Sequence, residues 1–174
     1  MIKYVLSLLL CVTATTGINA QTEQELKDLA MAQAKITSDA TVAGDFSTVL
    51  DYTLPTVLDM MGGKDGALET VTTAMDGMKQ QGFEITKSEV VEMVGFAEEE
   101  GEYRCVIQNN VVLNHPDYTI NSTSYIFGVY NPEASQWYFI EGSQLKNEAL
   151  AQMVIPGFKT ALEIPDDVRE TQQH

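Results

Sequence analysis

The sequence predicts an α+β domain in which three amino-terminal helices pack on a curved four-stranded antiparallel sheet. Two patterns carry this prediction. Between residues 22 and 81 the apolar side chains recur at three- and four-residue spacings, as in helices with one buried face. Between residues 83 and 142 they recur mostly at every second position, as in strands with one buried face. We therefore expect the helices to cover the strands and to enclose one apolar interior.

The first twenty residues have the features of a secretory signal peptide. Lys3 precedes an apolar segment, 4–12, and the small residue Ala20 stands just before the chain turns polar at Gln21. This apolar run is far shorter than the roughly 20 residues of a membrane-spanning helix, and no later segment approaches that length. We expect cleavage after Ala20, export to the periplasm or beyond the cell, and no membrane span.

Residues 21–165 are expected to form a single domain, followed by a polar tail, 166–174, that frays. The leader contains Cys11, so Cys105 is the one cysteine left and no intrachain disulfide is possible. Cys105 occupies an apolar strand position without a cationic neighbour in sequence. We interpret it as a small buried side chain rather than a reactive thiol.

The charge balance is strongly acidic. Asp and Glu number 25 against 10 Lys and Arg, which gives a net charge of −15 at pH 7. Such a surface repels phosphates, so nucleic acid and anionic membranes are poor partners. A solvated, soluble surface is favoured over a specific cationic partner.

The first two helices are predicted from their capping residues. The first helix, residues 22–43, begins at a capping box formed by Thr22 and Glu25, and Gly44 ends it. The side chains expected on its inner face are Leu26, Leu29, Ala30, Ile36, Ala40 and Ala43. Asp45 caps the second helix, and Pro55 restarts or kinks the chain.

The third helix is predicted for residues 65–81. Asp65 is its expected cap, and Gly82 follows its carboxyl end. Its expected inward side chains are Leu68, Val71, Met75 and Met78. We interpret these methionines as core filler, because no Cys or His accompanies them as a copper site would require.

Four strands follow in the prediction. The first, 83–96, changes phase near Ser88, where we expect a bulge, and an acidic turn, 98–102, leads into three strands within residues 103–142. Turn residues at 114–117 and 131–133 make these strands an antiparallel meander. The last strand, Trp137–Ile140, is apolar on both faces, which suggests an inner strand. Residues 144–153 are helical in pattern, and 155–165 should pack back as an extended cover.

The element order resembles that of the NTF2-like superfamily, a cystatin-like α+β cone. Leu54-Pro55 followed by Gly62-Gly63-Lys64, and the closing strand with Glu141-Gly142, look like small exported bacterial members. The resemblance implies a pocket between sheet and helices. Members use it as isomerases or cyclases, or as binding and interaction modules.

An apolar ligand pocket is the functional hypothesis that the aromatic residues support. The candidate lining residues are Tyr52, Tyr125, Phe127, Trp137 and Phe139. A small hydrophobic ligand would fit such a pocket, whereas the competing interpretation is a filled core. The expected function is therefore non-catalytic binding of a small hydrophobic molecule or a protein, by a monomer or homodimer.

An enzyme is the alternative. An isomerase of the resembling type would use an aspartate base with a tyrosine or acid donor, for which Asp51, Tyr52, Asp117 and Tyr125 are available, although none stands in a recognisable motif. A cyclase would need His115, which we interpret as an exposed turn residue. No cofactor is expected, and two histidines so far apart do not suggest a metal site.

Overall fold

The computed structural model of this protein describes residues 22–174, so the predicted signal peptide and its cleavage site lie outside the described residues. Those residues form six helices and five strands. The helices are α1 (Glu23–Ala43), α2 (Phe46–Asp51), α3 (Pro55–Met60), α4 (Gly63–Gln80), α5 (Gly142–Leu145) and α6 (Glu148–Val154). The strands are β1 (Glu84–Glu99), β2 (Glu102–His115), β3 (Tyr118–Asn131), β4 (Gln136–Glu141) and β5 (Val168–Gln173). The predicted α+β class is confirmed, but four helices rather than three precede the sheet, which has five strands rather than four.

Helix α1 begins at the predicted capping box. The Thr22 hydroxyl accepts a hydrogen bond from the Glu25 backbone N–H at 3.2 Å, and the Thr22 N–H donates to the Glu25 carboxylate at 2.7 Å. Small buried residues, among them Ala30 and Ala34, let the helix lie close to the sheet. Ile36, which we expected to face inward, is 42% exposed because the buried positions recur every four residues along a different line of the helix.

The predicted second helix is split into α2 and α3. The Asp45 side chain caps α2 by accepting a hydrogen bond from the Thr48 N–H at 3.2 Å. Pro55 is the first residue of α3. Backbone N–H groups in the first turn of a helix have no acceptor within the helix, so the missing N–H of proline costs no hydrogen bond there.

Helix α4 starts slightly earlier than predicted. Its N-cap is Gly62, and Asp65 lies in the first turn instead, where a negative charge still favours the helix dipole. Gly82 follows the helix with a φ of +89°, a left-handed conformation that glycine adopts without strain.

The sheet is antiparallel throughout, in the order β1-β2-β3-β4, and β5 joins it as a second partner of β3. Strand β4 pairs with residues 126–131 of β3 and β5 with residues 118–123, so the two strands share one edge of β3. Strand β1 carries three irregularities, which leave Thr86, Val91 and Val94 without partners in β2. Ser88, near which we expected a bulge, itself pairs with Val111, and the nearest irregularity is two residues earlier. Bulges of this kind bend an edge strand and discourage pairing with other chains.

Strand β4 is the last strand of the main path, so the prediction of an inner strand is wrong. Its outer edge is bonded by the chain between α2 and α3: the Phe139 N–H donates to the Tyr52 carbonyl at 2.7 Å, and the Leu54 N–H to the Phe139 carbonyl at 3.1 Å. Both faces are nevertheless covered, which explains its apolar sequence.

Two hydrophobic clusters lie on opposite faces of the sheet. Helix α1 covers the first, whose centre includes Trp137, Phe139 and Cys105. The second contains Phe127 and Val106 and is covered by α6 and by the segment 155–165, which we call the strap. Gly128 lies on the α1 side, where a Cβ atom would come within 2.7 Å of the Cys105 sulfur, so the absence of a side chain permits this packing.

The carboxyl-terminal part differs most from the prediction. The helical pattern 144–153 is interrupted, giving α5 and α6, and the strap packs on the second cluster as expected through Phe158, Leu162 and Ile164. The tail predicted to fray instead forms β5, because the free edge of β3 offers backbone partners for six residues. No helix within residues 22–174 is long and apolar enough to cross a membrane.

Candidate functional site

The five predicted pocket residues do not share one side of the sheet. Trp137, Phe139 and Tyr52 belong to the cluster under α1, whereas Phe127 and Tyr125 belong to the cluster under the strap. The strand register causes this division, because Phe127 pairs with Ile140, one residue beyond Phe139. Trp137, Phe127 and Phe139 are buried in filled core and line none of the three clefts described below.

The acid and base candidates are also dispersed. Asp51 pairs with Lys64 at the surface, and Asp117 is exposed in the turn between β2 and β3. His115 is not the exposed turn residue that we expected. Its ring is largely buried against Phe83 and Tyr118, with centroid separations of 4.9 and 4.6 Å.

Neither a metal centre nor a reactive thiol is present in the described part of the chain. Residues 22–174 contain no group of three or more His, Cys, Asp or Glu side chains arranged to hold a metal ion. Burial raises the pKa of the Cys105 thiol to about 12, so this side chain stays protonated and unreactive.

The largest of the three clefts lies beside α4. This helix packs on α2 and α3, and its closest backbone neighbours do not include a strand. Among its side chains only Ala67 is fully buried, and the four predicted inward residues are half-buried. The amphipathic face of α4 is therefore incompletely covered by the sheet.

We call the resulting space the α4 cleft. It measures about 730 Å³ and runs between α4, the turn from α1 to α2, and the start of β1. Its apolar side chains are Val42, Phe46, Leu68, Met75, Phe83 and Ile85. Sites for small organic molecules have volumes of about 300–1,000 Å³ and a mainly apolar lining with few polar groups. The volume of the α4 cleft is in this range, but its lining is mixed, because polar and apolar side chains contribute to it about equally.

Four charged side chains surround the α4 cleft: Asp45, Asp76, Lys79 and Glu84. Hydrogen bonds from the Thr48 hydroxyl and N–H lower the pKa of Asp45. The other three form no ion pair and no side-chain hydrogen bond within residues 22–174. They are thus available to a ligand, but they are not assembled into an acid–base pair.

Two smaller clefts are the alternatives. One of about 410 Å³ lies between the start of α1 and β1, where the Lys27 ammonium stands 4.7 Å from the centre of the Phe96 ring. The other, of about 290 Å³, lies on the polar part of the sheet between β1 and β5. Neither combines the volume and the apolar side chains of the α4 cleft.

Glu141 is a titratable residue that the sequence analysis did not single out. It ends β4, where that strand and β5 meet along the edge of β3. Burial, together with the nearby carboxylate of Asp167, raises the pKa of Glu141 to about 7, against the opposing effect of Arg169. Solvent still reaches the side chain. A perturbed pKa points to a functional site when the group lies in a cleft, but Glu141 lines none of the three clefts. Only the pairing of β5 with β3 brings Asp167 and Arg169 near it.

We expect Glu141 to make the protein less stable as the pH rises. Between its ordinary value of 4.5 and about 7 the folded state binds more protons than the unfolded state, so the free energy of unfolding falls through this interval and is level above it. Solvent screening reduces the size of the effect. Urea unfolding at a series of pH values should show that the free energy of unfolding of Glu141→Gln equals that of the wild type at pH 4.5 and is larger than that of the wild type at pH 8. A difference independent of pH would contradict the raised pKa.

Comparison with known proteins gives no identification. No family model, no curated protein and no solved structure matches this chain.

Proposed function

We propose that this protein is an exported, non-catalytic binding domain that holds a small apolar or amphipathic molecule in the α4 cleft. The observation that carries the proposal is the cleft itself, a space of about 730 Å³ lined by both apolar and polar side chains, beside a helix that the sheet leaves half-covered. The leader-like sequence of residues 1–20 supports export.

The NTF2-like resemblance is part of this proposal. Helices that precede an antiparallel sheet, with a cavity between a helix and the first strand, agree with the arrangement that the resemblance implies. A protein partner is the alternative occupant, and the domain acts as a monomer or homodimer. Native mass spectrometry of protein purified from its own host reports bound mass and stoichiometry together.

Placing a bulky side chain in the α4 cleft should weaken binding without unfolding the protein. Thr72 lines the cleft and is exposed, so Thr72→Trp places an indole in the space without disturbing the core. Titration with the neutral fluorescent probe N-phenyl-1-naphthylamine should show at least about tenfold weaker binding than the wild type, which corresponds to about 1.4 kcal/mol.

The neighbouring residue provides the matched control. Thr73 is also exposed on α4 but does not line the cleft, so Thr73→Trp should bind the probe as the wild type does. Equal probe affinity in wild type, Thr72→Trp and Thr73→Trp would show that the cleft is not the binding site. No measurable binding by the wild type would end the small-ligand proposal.

A proton-transfer enzyme is the second candidate, and Glu141 is the observation that favours it. A carboxyl group with a pKa of about 7 that solvent reaches is suited to general acid–base work near neutral pH. An isomerase of this kind would convert a β,γ-unsaturated ketone to its conjugated isomer, with loss of turnover in Glu141→Gln. Absence of turnover in the wild type removes this candidate for that substrate class.

A further inference from the structure

We propose that the α4 cleft selects amphipathic cations, molecules that carry an alkyl or aromatic body and a positively charged amine or ammonium head. This inference rests on the proposed function, since it names the ligand class of the same site. Its basis is the combination of the apolar side chains in the cleft with the sign of the charges around it.

The charges around the cleft are unbalanced. Asp45, Asp76 and Glu84 contribute three carboxylates, against the single ammonium group of Lys79. Asp45 is held in place by the Thr48 hydroxyl at 2.7 Å, while Asp76 and Glu84 form no ion pair within residues 22–174 and remain exposed. A cationic head group that enters the cleft gains these carboxylates as partners, whereas an anionic head group meets repulsion from them.

The apolar part of the ligand would contact a different set of side chains in the cleft from the charged head group. Leu68 and Met75 on α4 and Ile85 on β1 are half-buried and line the cleft without being covered by the core. Hydrocarbon that contacts these side chains leaves water, which favours binding in proportion to the area buried. Methionine adapts to ligands of different shape, so the cleft suits a class of molecules better than a single one.

The overall charge of the chain supports the same selection. At −15 the protein attracts cations from solution and repels anions over a distance set by the ionic strength. This general field does not by itself place a cation in the cleft. The experiment must therefore separate the cleft carboxylates from the remaining negative surface.

Three probes of equal chain length test the charge preference: decyltrimethylammonium, the neutral decyldimethylphosphine oxide and decyl sulfate, each kept below its micelle concentration. Each competes with N-phenyl-1-naphthylamine for the wild-type protein. We expect the ammonium to displace the dye at about fivefold lower concentration than the phosphine oxide, since two exposed carboxylates contribute a modest attraction each. Decyl sulfate should be the weakest competitor.

The double variant Asp76→Asn with Glu84→Gln should bind the ammonium and the phosphine oxide equally. Asp59→Asn with Glu69→Gln is the matched control, because it changes the net charge by the same amount at exposed residues outside the cleft, and it should keep the preference. Equal competition by all three probes in the wild type would overturn the inference, as would a preference that survives in the cleft variant. If none of the probes or the dye binds, the proposed function itself fails, and that result is distinct from binding without charge preference.

Discussion

Replacing Trp137 with alanine is expected to lower the free energy of unfolding by about 3–5 kcal/mol. Trp137 is fully buried at the centre of the α1 cluster, and its ring centroid lies 5.4 Å from Tyr130 and 6.1 Å from Phe96. Its indole N–H also donates to the Leu26 carbonyl at 3.1 Å, so the substitution removes apolar contacts and a link to α1 together. A domain of this size has about 5–15 kcal/mol of stability, so the loss takes a large share of it.

The measurement is urea unfolding followed by far-ultraviolet circular dichroism, because Trp137 is the only tryptophan and its fluorescence disappears with the substitution. Trp137→Phe should fall between the wild type and the alanine variant. It keeps an aromatic ring in the core but loses the indole hydrogen bond, which has a net value of about 1 kcal/mol. If the free energy of unfolding of Trp137→Ala lies within about 1 kcal/mol of the wild-type value, α1 and the sheet are not joined through this side chain.

Local chemistry is what made parts of the fold predictable. The capping box of α1, the glycine after α4 and the turns at 114–117 and 131–133 act within a few residues, so the sequence shows them directly. The order of helices and strands follows from the same patterns. Boundaries moved where two local signals competed, as at Gly62 and Asp65.

Features that depend on distant partners were not predictable in this way. Strand β5 has six exposed residues with no apolar alternation, and it is a strand because β3 has an unpaired edge beyond β4. Strand β4 has the apolar sequence of an inner strand because helices and strap cover its faces, while the segment after α2 bonds to its edge. In both cases the cause lies in another part of the chain.

The candidate site was missed for a related reason. Alternation along a strand tells which residues share a face of that strand, but the register between strands decides which faces coincide. Alternation alone therefore groups Phe127 with Phe139, although they lie on opposite sides of the sheet. Met75 is apolar and at helical spacing, so its sequence context does not distinguish a core position from the lining of a cleft.

Replacing Arg104 with methionine is expected to lower the free energy of unfolding by about 1.5–3 kcal/mol, the usual contribution of hydrogen bonds to charged groups, because the carboxylates left behind are still reached by solvent. The side chain is 2% exposed. Its guanidinium donates to the Glu99 carboxylate at 3.2 Å, to the Glu102 carboxylate at 3.1 Å and to the Lys159 carbonyl of the strap at 2.6 Å. Methionine fills a similar volume, so the loss reports these polar contacts and not a cavity. Urea unfolding at pH 7 measures it.

Glu99 gives this prediction a pH dependence. Burial acts to raise the pKa of Glu99, but hydrogen bonds from Thr160 and the Ala161 N–H, together with Arg104, outweigh it and lower the pKa. The ionised form therefore stabilises the fold above the ordinary glutamate value of 4.5, and this stability is lost as the pH falls through the lowered pKa. The loss in free energy of unfolding caused by Arg104→Met should therefore be smaller in acid, where the unpaired Glu99 carboxylate takes up a proton.

A double-mutant cycle separates the Arg104–Glu99 pair from the rest of the cluster. In the wild type the Ala161 N–H donates to the Glu99 carboxylate at 2.7 Å. Glu99→Gln in the Arg104→Met background removes the unpaired charge, while the amide oxygen still accepts this hydrogen bond. Part of the lost stability should therefore return. Glu100→Gln is the exposed control: the Glu100 carboxylate lies 3.7 Å from Arg104 at the surface and should contribute less than about 1 kcal/mol.

Hydrogen exchange should show faster opening of residues 159–161 in Arg104→Met than in Glu100→Gln, because Arg104 holds the strap over the second cluster. Strictly additive losses at Arg104 and Glu99, with unchanged exchange in the strap, would mean that these two residues do not hold it.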